Sequence, residues 1–581
     1  MKRVESSQST GFFHGSKSFL PLLLALALGC SRGASSTGGA TGVLPLTTLE
    51  VRPPVAELAP GGSMQLRAIG TFADDSTGDL TRQVDWTSSN PSVITVSNDS
   101  NTKGHVEALR AGHAVINAHL DGVLGTGSLD VVDSIPPSVG PLRVNRANPR
   151  YFSRGTVKAV LLVGSHTWLD FLDAGHGNPP PGFDYPAFLD FLQRNGHNFF
   201  RLWTWEQTRW TLETTDNLYW FGPVTPFART GPGTALDGLP RFDLQTFDPA
   251  YFDRLRSRVQ LAADRGIYVS VMLFDGWSVA KAKGSFSKNN PWKGHPFNAA
   301  NNINGIDGDV NGDNSGEETH ELVNPDVLAI QEAYVRKVVD TLNDLDNVLY
   351  EISNESHSGS QDWQYHMIRF IKDYESTLPK QHPVGMTVEY PGGSNAELFA
   401  SPADWISVNG NINDPPAADG SKVILDDTDH LCGICGDRRW VWKSFLRGRN
   451  PIFMDGYDGA GYGVGGSGFV FDDPTWVSLR ANLGYVRAFA ERVQLVAMVP
   501  RGDLASTGYC LSSVGNGGRE FLAYAPAGGG ITVDLSGLGG TLTVEWFRPA
   551  DGSTVAGGSV PAGGSQTFSP PFSGDAVLYL H

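Results

Sequence analysis

Cysteine is scarce: four occur in 581 residues, Cys30, Cys432, Cys435 and Cys510. So few thiols exclude a disulfide framework, and the modules must be held by apolar cores. Cys432 and Cys435 are left open as a pair or as two free thiols. Basic residues are also in deficit, 44 against 61 acidic ones, for a formal net charge of -17. That balance, with no basic stripe, repels polyanions and excludes nucleic acid as a partner. No apolar run reaches the roughly 20 residues a membrane-spanning helix needs. The HExxH and paired-histidine spacings of a metal hydrolase are missing, as is the Gly-rich phosphate loop of a doubly wound nucleotide fold.

Glycine (69 residues) and aromatics (10%) are plentiful while charged residues make up only 18%. This composition suits extracellular β-rich modules and sugar-facing clefts. At roughly 100 to 200 residues per domain the length predicts three or four units. Lys2, Arg3 and Lys17 precede the apolar run Phe19 to Leu28, which stops at Gly29-Cys30 and gives way to a Gly/Ser/Thr linker. Residues 1–30 read as a signal peptide and 31–43 as the linker. ALGC resembles the lipobox of bacterial lipoproteins, with Ala27 where Leu is usual. The resemblance implies acylation of Cys30 and a lipid anchor in the bacterial cell envelope, with plain secretion as the alternative.

Residues 44–133 alternate apolar and polar positions in short runs, among them MQLRAIGTF, VDWTSS, HVEALRAG and AVINAHL, the pattern of an all-β sandwich. This stretch resembles the bacterial Ig-like group 2 module, which implies a spacer or adhesive role. A Pro-rich linker follows at 134–141. From 142 to 500, eight apolar runs alternate with amphipathic segments: VLLVGSHTW, FFRLWTWE, IYVSVMLFDGW, VLYEISNES, VGMTVEY, WISVNGN, KVILDDTDH and PIFMDGY. Intervening segments such as PAYFDRLRSRVQLAADRG read as helices ending near Gly or Asn. Eight βα units in this length predict a (β/α)8 TIM barrel. Residues 501–581 return to short strands, a second β-sandwich. REFLAYAP, VEWFRPADG and FSGDAVLYL resemble the collagen-binding type of module found behind glycosidase barrels.

TIM-barrel active sites sit where strands end, and these ends are rich in carboxylates and Trp. The fourth run closes on Asn354-Glu355, which resembles the acid/base pair of the retaining clan A glycosidases. The blocks GSHTW, FFRLW, NES and DTDH are similar to bacterial barrels near the apiosidase-like glycosidases. These resemblances imply Glu355 as general acid/base, with Asn354 on a sugar hydroxyl, and a nucleophile at the seventh strand end. There the sequence reads Asp426-Asp427-Thr428-Asp429-His430 instead of the common Glu. Alternation puts Asp427 and Asp429 on one face and Asp426 on the other. Asp429 leads and Asp427 is second, with Glu389, Asp455 and Glu206 as further candidates. Arg201 matches the clan A arginine beside the nucleophile, where a fixed cation keeps a carboxylate ionised. His166, Trp168, Trp203, Trp205, Trp277 and Tyr390 are expected to face sugar rings.

Asp307-Gly-Asp309-Val-Asn311-Gly312-Asp313-Asn-Ser-Gly-Glu-Glu318 fits the calcium-loop template, with Gly312 at the turn and Glu318 as bidentate closure. A structural Ca2+ ion is therefore expected, and no organic cofactor. The function expected is that of a glycoside hydrolase acting on an extracellular polysaccharide, as a monomer. A glycan- or matrix-binding adhesin is the alternative.

Overall fold

The computed structural model describes residues 44–52, 55–58, 63–74, 76–110, 112–131, 140–154, 158–175, 177–210, 219–222, 224–281, 283, 290–457, 470–516 and 518–581. Cys30, the leader, the linker at 31–43 and residues 134–139 of the second linker lie outside the described residues. The chain divides into two compact units, Met1–Asp133 and Ser134–His581. In the first, strands from Leu46–Arg52 to Val123–Val131 form small, largely antiparallel sheets. Their inward positions, Val51, Ala68, Trp86, Val106, Ile116 and Leu129, make one apolar core. The Trp86 indole donates to the Thr81 carbonyl at 3.0 Å, so its one polar atom is satisfied inside that core.

The second unit is built on eight parallel strands: β1 (Gly164–His166), β2 (Phe199–Leu202), β3 (Tyr268–Asp275), β4 (Val348–Asn354), β5 (Val384–Thr387), β6 (Trp405–Ser407), β7 (Val423–Asp427) and β8 (Asn450–Met454). They pair in sequence from β2 to β8, and β8 pairs with β1. The seam between β1 and β2 is stitched by single bonds. The Asn198 and Phe199 N–H groups both donate to the Val163 carbonyl, at 3.0 and 3.1 Å. The Asn198 side chain spans the same seam, accepting from Val163 N and donating to the Leu161 carbonyl at 2.9 Å each. Gly164 permits this approach, because a Cβ there would sit 1.8 Å from the Phe199 carbonyl oxygen. The result is a near-closed barrel whose strands fall on the eight predicted runs.

Among the described residues seven helices of six residues or more wrap it: α1 (Tyr185–Arg194), α2 (Pro249–Ala263), α3 (Pro325–Leu342), α4 (Gln361–Glu375), α5 (Asn395–Ala400), α6 (Arg438–Leu446) and α7 (Pro474–Arg492). Three open on a capping residue followed by proline, Asp248-Pro249, Asn324-Pro325 and Asp473-Pro474. The cap satisfies an orphan N–H and the ring presets the first helical φ. No helix joins β6 to β7. That link contains Gly410, Pro415-Pro416 and Gly420, which cannot sustain one. Among the described residues no helix is long and apolar enough to cross a membrane.

The C-terminal sheet, ordered Val499–Pro500, Cys510–Ser512, Phe521–Ala525, Ala576–Leu580, Thr541–Arg548 and Ser553–Pro561, is covered on both faces at its centre. Phe521, Ala523 and Ala525 face the domain's own core. Leu522 and Tyr524, on the opposite face, pack with Trp442, Phe445, Leu483 and Phe489 of α6 and α7. This explains why FLAYA and AVLYL are continuous apolar runs instead of alternating ones. Arg438, at the start of α6, closes the contact with a charge-assisted pair to Asp575 at 2.8 Å.

Candidate active site

The floor of the site is a charged layer inside the barrel. Arg201 on β2 is 1% exposed and directs its guanidinium at three carboxylates. Nε and Nη2 donate to Glu351 on β4 at 3.0 and 2.5 Å, and Nη1 to Asp427 and Asp429 at 3.2 and 3.0 Å. Its Nη2 also donates to Asn354 Oδ1 at 2.7 Å. That bond fixes the Asn354 amide with its oxygen downward, and the neutral ring of His430 agrees with it. Burial lowers the His430 pKa to about 3. Its Nε2 lies 3.1 Å from Asn354 Oδ1 and so carries the hydrogen, while Nδ1 accepts from Ser407 Oγ at 2.7 Å.

The two aspartates of β7 are separated by depth. Asp426 points outward to Arg449, Ser444 and Trp440, as alternation requires. Asp427 is sealed under the cleft, with His166 Nε2 at 3.0 Å from its carboxylate. Burial alone would raise its pKa, but His166 and Arg201 more than offset this and hold it below the usual carboxylate range. Asp427 also accepts from the Asp429 N–H at 3.0 Å, capping the 3-10 turn Thr428–His430. This turn lifts Asp429 into the cleft. The chain beyond is tied back by the N–H groups of Leu431, Cys432 and Gly433 on the Thr428 carbonyl. Cys432 and Cys435 form a disulfide there, with Cα atoms 5.9 Å apart, while Cys510 is free and buried.

Glu355 follows β4 in a left-handed conformation, φ 46°, unusual for a residue with a side chain. Such a backbone costs on the order of 1–3 kcal/mol and persists only when its surroundings over-determine it. Gly276 leaves the room: a Cβ there would come within 2.3 Å of the Glu355 carbonyl oxygen. Thr387 Oγ1 accepts from Glu355 N at 3.3 Å, Lys283 Nζ donates to its carbonyl, and Trp277 Nε1 donates to Oε2 at 2.7 Å. Burial, followed by the charge of Asp429, pushes the Glu355 carboxyl up to about 8. Burial also raises Asp429, opposed by Arg201. With its carboxyl pushed up to about 8, Glu355 holds a proton at neutral pH.

Both carboxyls line one cleft of about 350 Å³. Trp168, Trp203 and Trp205 contribute one aromatic group, their rings 6.1 to 6.4 Å apart in sequence. Trp277 and Tyr390 contribute another, stacked at 6.1 Å and 16°. Asn354, Asn409, Met454 and the segment from His430 to Gly433 complete the lining. His166, expected to face the sugar, is instead 0% exposed beneath the cleft and drawn to Asp427, while Arg201, expected beside the nucleophile, is 1% exposed and pairs with Asp429 at 3.0 Å. Glu389 turns toward Ser360 and Gln364, and Asp455 is bound by Arg480 at 2.6 and 2.7 Å. Glu206 lies between His295 and His320, each at 3.3 Å. These bonds overcome its burial and hold its carboxyl at about 2. None of these three lines the cleft. Sequence reasoning did not single out Glu351, Lys283 or His430. His430 sits within the DTDH block, while Glu351 and Lys283 carry no local signal.

The acidic loop at 307–318 is wound around Asp309. The Asp309 carboxylate accepts from the N–H groups of Gly312, Asp313 and Asn314 at 2.8 to 3.0 Å. Gly312 and Asn314 are both left-handed, φ 77° and 64°, so the chain turns at Gly312 as expected and again at Asn314. Asn311 Oδ1 and Asp313 Oδ1 take further N–H groups, and Glu318 Oε2 is buried with no hydrogen-bond partner. This short-oxygen donor set has the chemistry calcium takes. Among the described residues no group of three or more His, Cys, Asp or Glu side chains is arranged to hold a metal ion. Gly316 N and Ser315 Oγ both donate to the Val279 carbonyl, which seats the loop against the turn carrying Trp277.

Comparison with known proteins agrees with this division of the chain. Residues 45–128 match the profile of the bacterial Ig-like domain (group 2), and 507–581 that described as "Putative collagen-binding domain of a collagenase". Residues 218–390, spanning Trp277, the acidic loop and Glu355, match a "Domain of unknown function (DUF6298)". Ice-binding protein 1 of Shewanella frigidimarina is 30% identical over 122 residues, 21% of this chain and 13% of that protein. Two Bacteroides vulgatus structures share the fold. A glycoside hydrolase of family 5 aligns at TM-score 0.50 and 14% identity, covering 76% of this chain and 93% of that one. A "putative glycoside hydrolase" aligns at 0.50 and 11%, covering 90% and 99%.

Proposed function

We propose that the barrel is a retaining glycoside hydrolase acting on an extracellular polysaccharide. One observation carries this reading: Glu355 and Asp429 converge from the ends of β4 and β7 on one aromatic cleft, with the proton biased onto Glu355 and a buried arginine gripping Asp429. In the first step Asp429 attacks the anomeric carbon while Glu355 protonates the departing glycosidic oxygen. In the second, Glu355 takes a proton from water, which displaces Asp429 from the sugar. Aromatic rings hold the sugar faces, and the Asn354 amide, its oxygen engaged by Arg201 and its nitrogen 3.5 Å from Asp275, keeps its second N–H to donate. Activity is expected to fall as pH rises through about 8, where Glu355 loses its proton. A panel of polysaccharides and aryl glycosides, with product anomers followed by NMR, tests the class. Release of the retained anomer is expected, and release of the inverted one would remove Asp429 from its role.

Two further features complete the reading. Acylation of Cys30 would hold the monomeric enzyme at the cell envelope. Cys30→Ser is then expected to move it from the membrane to the soluble fraction, and unchanged partitioning counts against the anchor. Calcium would bind the 307–318 loop through the side-chain oxygens of Asp307, Asp309 and Asn311 and the backbone carbonyl of Asp313, with Glu318 closing the site. A ligand at a hundredfold excess over its Kd stabilises by about 2.7 kcal/mol, so calcium should raise the Tm of a unit this large by roughly 3 °C and EDTA should reverse it. A Tm and a metal content that both ignore EDTA would exclude the ion.

A further inference from the structure

We infer that Lys283 is a positioning residue for the acid/base: its ammonium holds the carbonyl of the left-handed Glu355 and thereby aims the Glu355 carboxyl into the cleft. The inference rests on the hydrolase reading for the meaning of that aim, and on geometry for the aim itself. Glu355 departs from strand geometry just where β4 ends, so its backbone groups have no ladder partner. Thr387 of β5 takes the N–H, and the carbonyl is met by Lys283, 72 residues away in the loop after β3. Gly276 packs against the same carbonyl and excludes any side chain that would push it aside.

Lys283 is 4% exposed. A buried ammonium needs compensation, and three sources supply it. The first is the Glu355 carbonyl. The second is the pair of Trp277 and Tyr390 rings, with Nζ 5.4 and 5.9 Å from their centroids. The third is the surrounding carboxyl groups of Glu355, Asp275, Glu317 and Asp429. One cation therefore touches both the acid's backbone and the aromatic pair of the cleft, and Trp277 returns a hydrogen bond to the acid's Oε2 at 2.7 Å. Backbone, carboxyl and platform form one closed unit. An arginine in this place would bring a planar fork where a point charge fits, so Lys283→Arg is not expected to be silent.

The groups facing the Glu355 carboxyl set the sign of the test. Asp429 from β7 opposes its ionisation, while Lys283, Trp277 and Arg201 favour it. Removing Lys283 deletes a cation that stabilises the carboxylate, so the Glu355 proton should be lost at higher pH, not lower. Lys283→Met is expected to lower kcat by ~10²-fold, the cost of a misplaced catalytic group, while the alkaline limb of kcat moves up by about one pH unit. A merely structural lysine would lower the Tm and leave that limb in place.

The test is a 13C NMR titration of glutamate-labelled full-length protein, with the Glu355 resonance assigned by its loss in Glu355→Gln, run beside the kinetics. Lys283→Met and Lys283→Gln should both titrate above wild type, and Lys283→Arg close to it. Lys283→Gln, which keeps a donor for the carbonyl, serves if the Met variant does not fold. A folded variant without the charge whose Glu355 titrates as wild type and whose kcat stays within twofold overturns the inference. If the protein cleaves no glycoside and the titration still shifts, the hydrolase reading falls and the clamp stands.

Discussion

Glu355→Gln should lose about 10²–10⁴-fold in kcat on glycosides with poor leaving groups and remain near wild type on an aryl glycoside whose phenol leaves without protonation. The asymmetry follows from position: Glu355 is the only cleft-lining carboxyl besides Asp429 among the described residues, and burial keeps it protonated to about 8. The amide keeps the shape of the side chain but cannot supply a proton. With it should go the part of the alkaline limb that Glu355 sets, leaving only the titration of Lys283, which burial lowers to about 8. Equal losses on both substrates would instead assign Glu355 a binding role.

Deletion of residues 501–581 is expected to abolish soluble expression of the barrel, a large effect for removal of a module that holds none of the site. In the intact chain Trp442, Phe445, Leu483 and Phe489 of α6 and α7 are buried partly against Leu522, Tyr524 and Phe547 of the C-terminal domain. Each such side chain contributes about 1.5–3 kcal/mol when fully buried. Re-exposing four of them costs on the order of 6–12 kcal/mol, comparable to the whole stability of a typical domain, about 5–15 kcal/mol. The deletion would also strand Arg438, whose carboxylate partner Asp575 goes with the tail. A monodisperse, active barrel ending near residue 500 would show that the helices are self-sufficient. Removing residues 1–133, which form a separate compact unit, should leave activity unchanged and serves as the control.

The eight strands were legible because each is an apolar run closing on polar or aromatic residues, and parallel strands buried on both faces must look that way. The alternation of Asp426 against Asp427 and Asp429 was equally readable. Depth was not. Asp427 and Asp429 share a face, and only the 3-10 turn at Thr428–His430, with its cap on Asp427, sends one down to His166 and the other up to the cleft. His166 looked like a cleft residue because it lies at a strand end, yet the buried Asp427 draws it inward. Glu351 and Lys283 act over separations of 150 and 72 residues, and periodicity carries no information at that range. In the acidic loop Gly312 takes the left-handed turn that the calcium-loop template requires, while the second left-handed position, Asn314, carries no signal in that template.

Azide rescue tests the division of labour between the two carboxyls most directly. On an activated aryl glycoside, Asp429→Ala should be inactive in buffer and regain turnover with azide, giving a glycosyl azide of inverted configuration. Glu355→Ala should give one of retained configuration under the same conditions, since its nucleophile is intact. Rescue of Asp427→Ala instead of Asp429→Ala, or an inverted product from the Glu355 variant, would contradict the assignment.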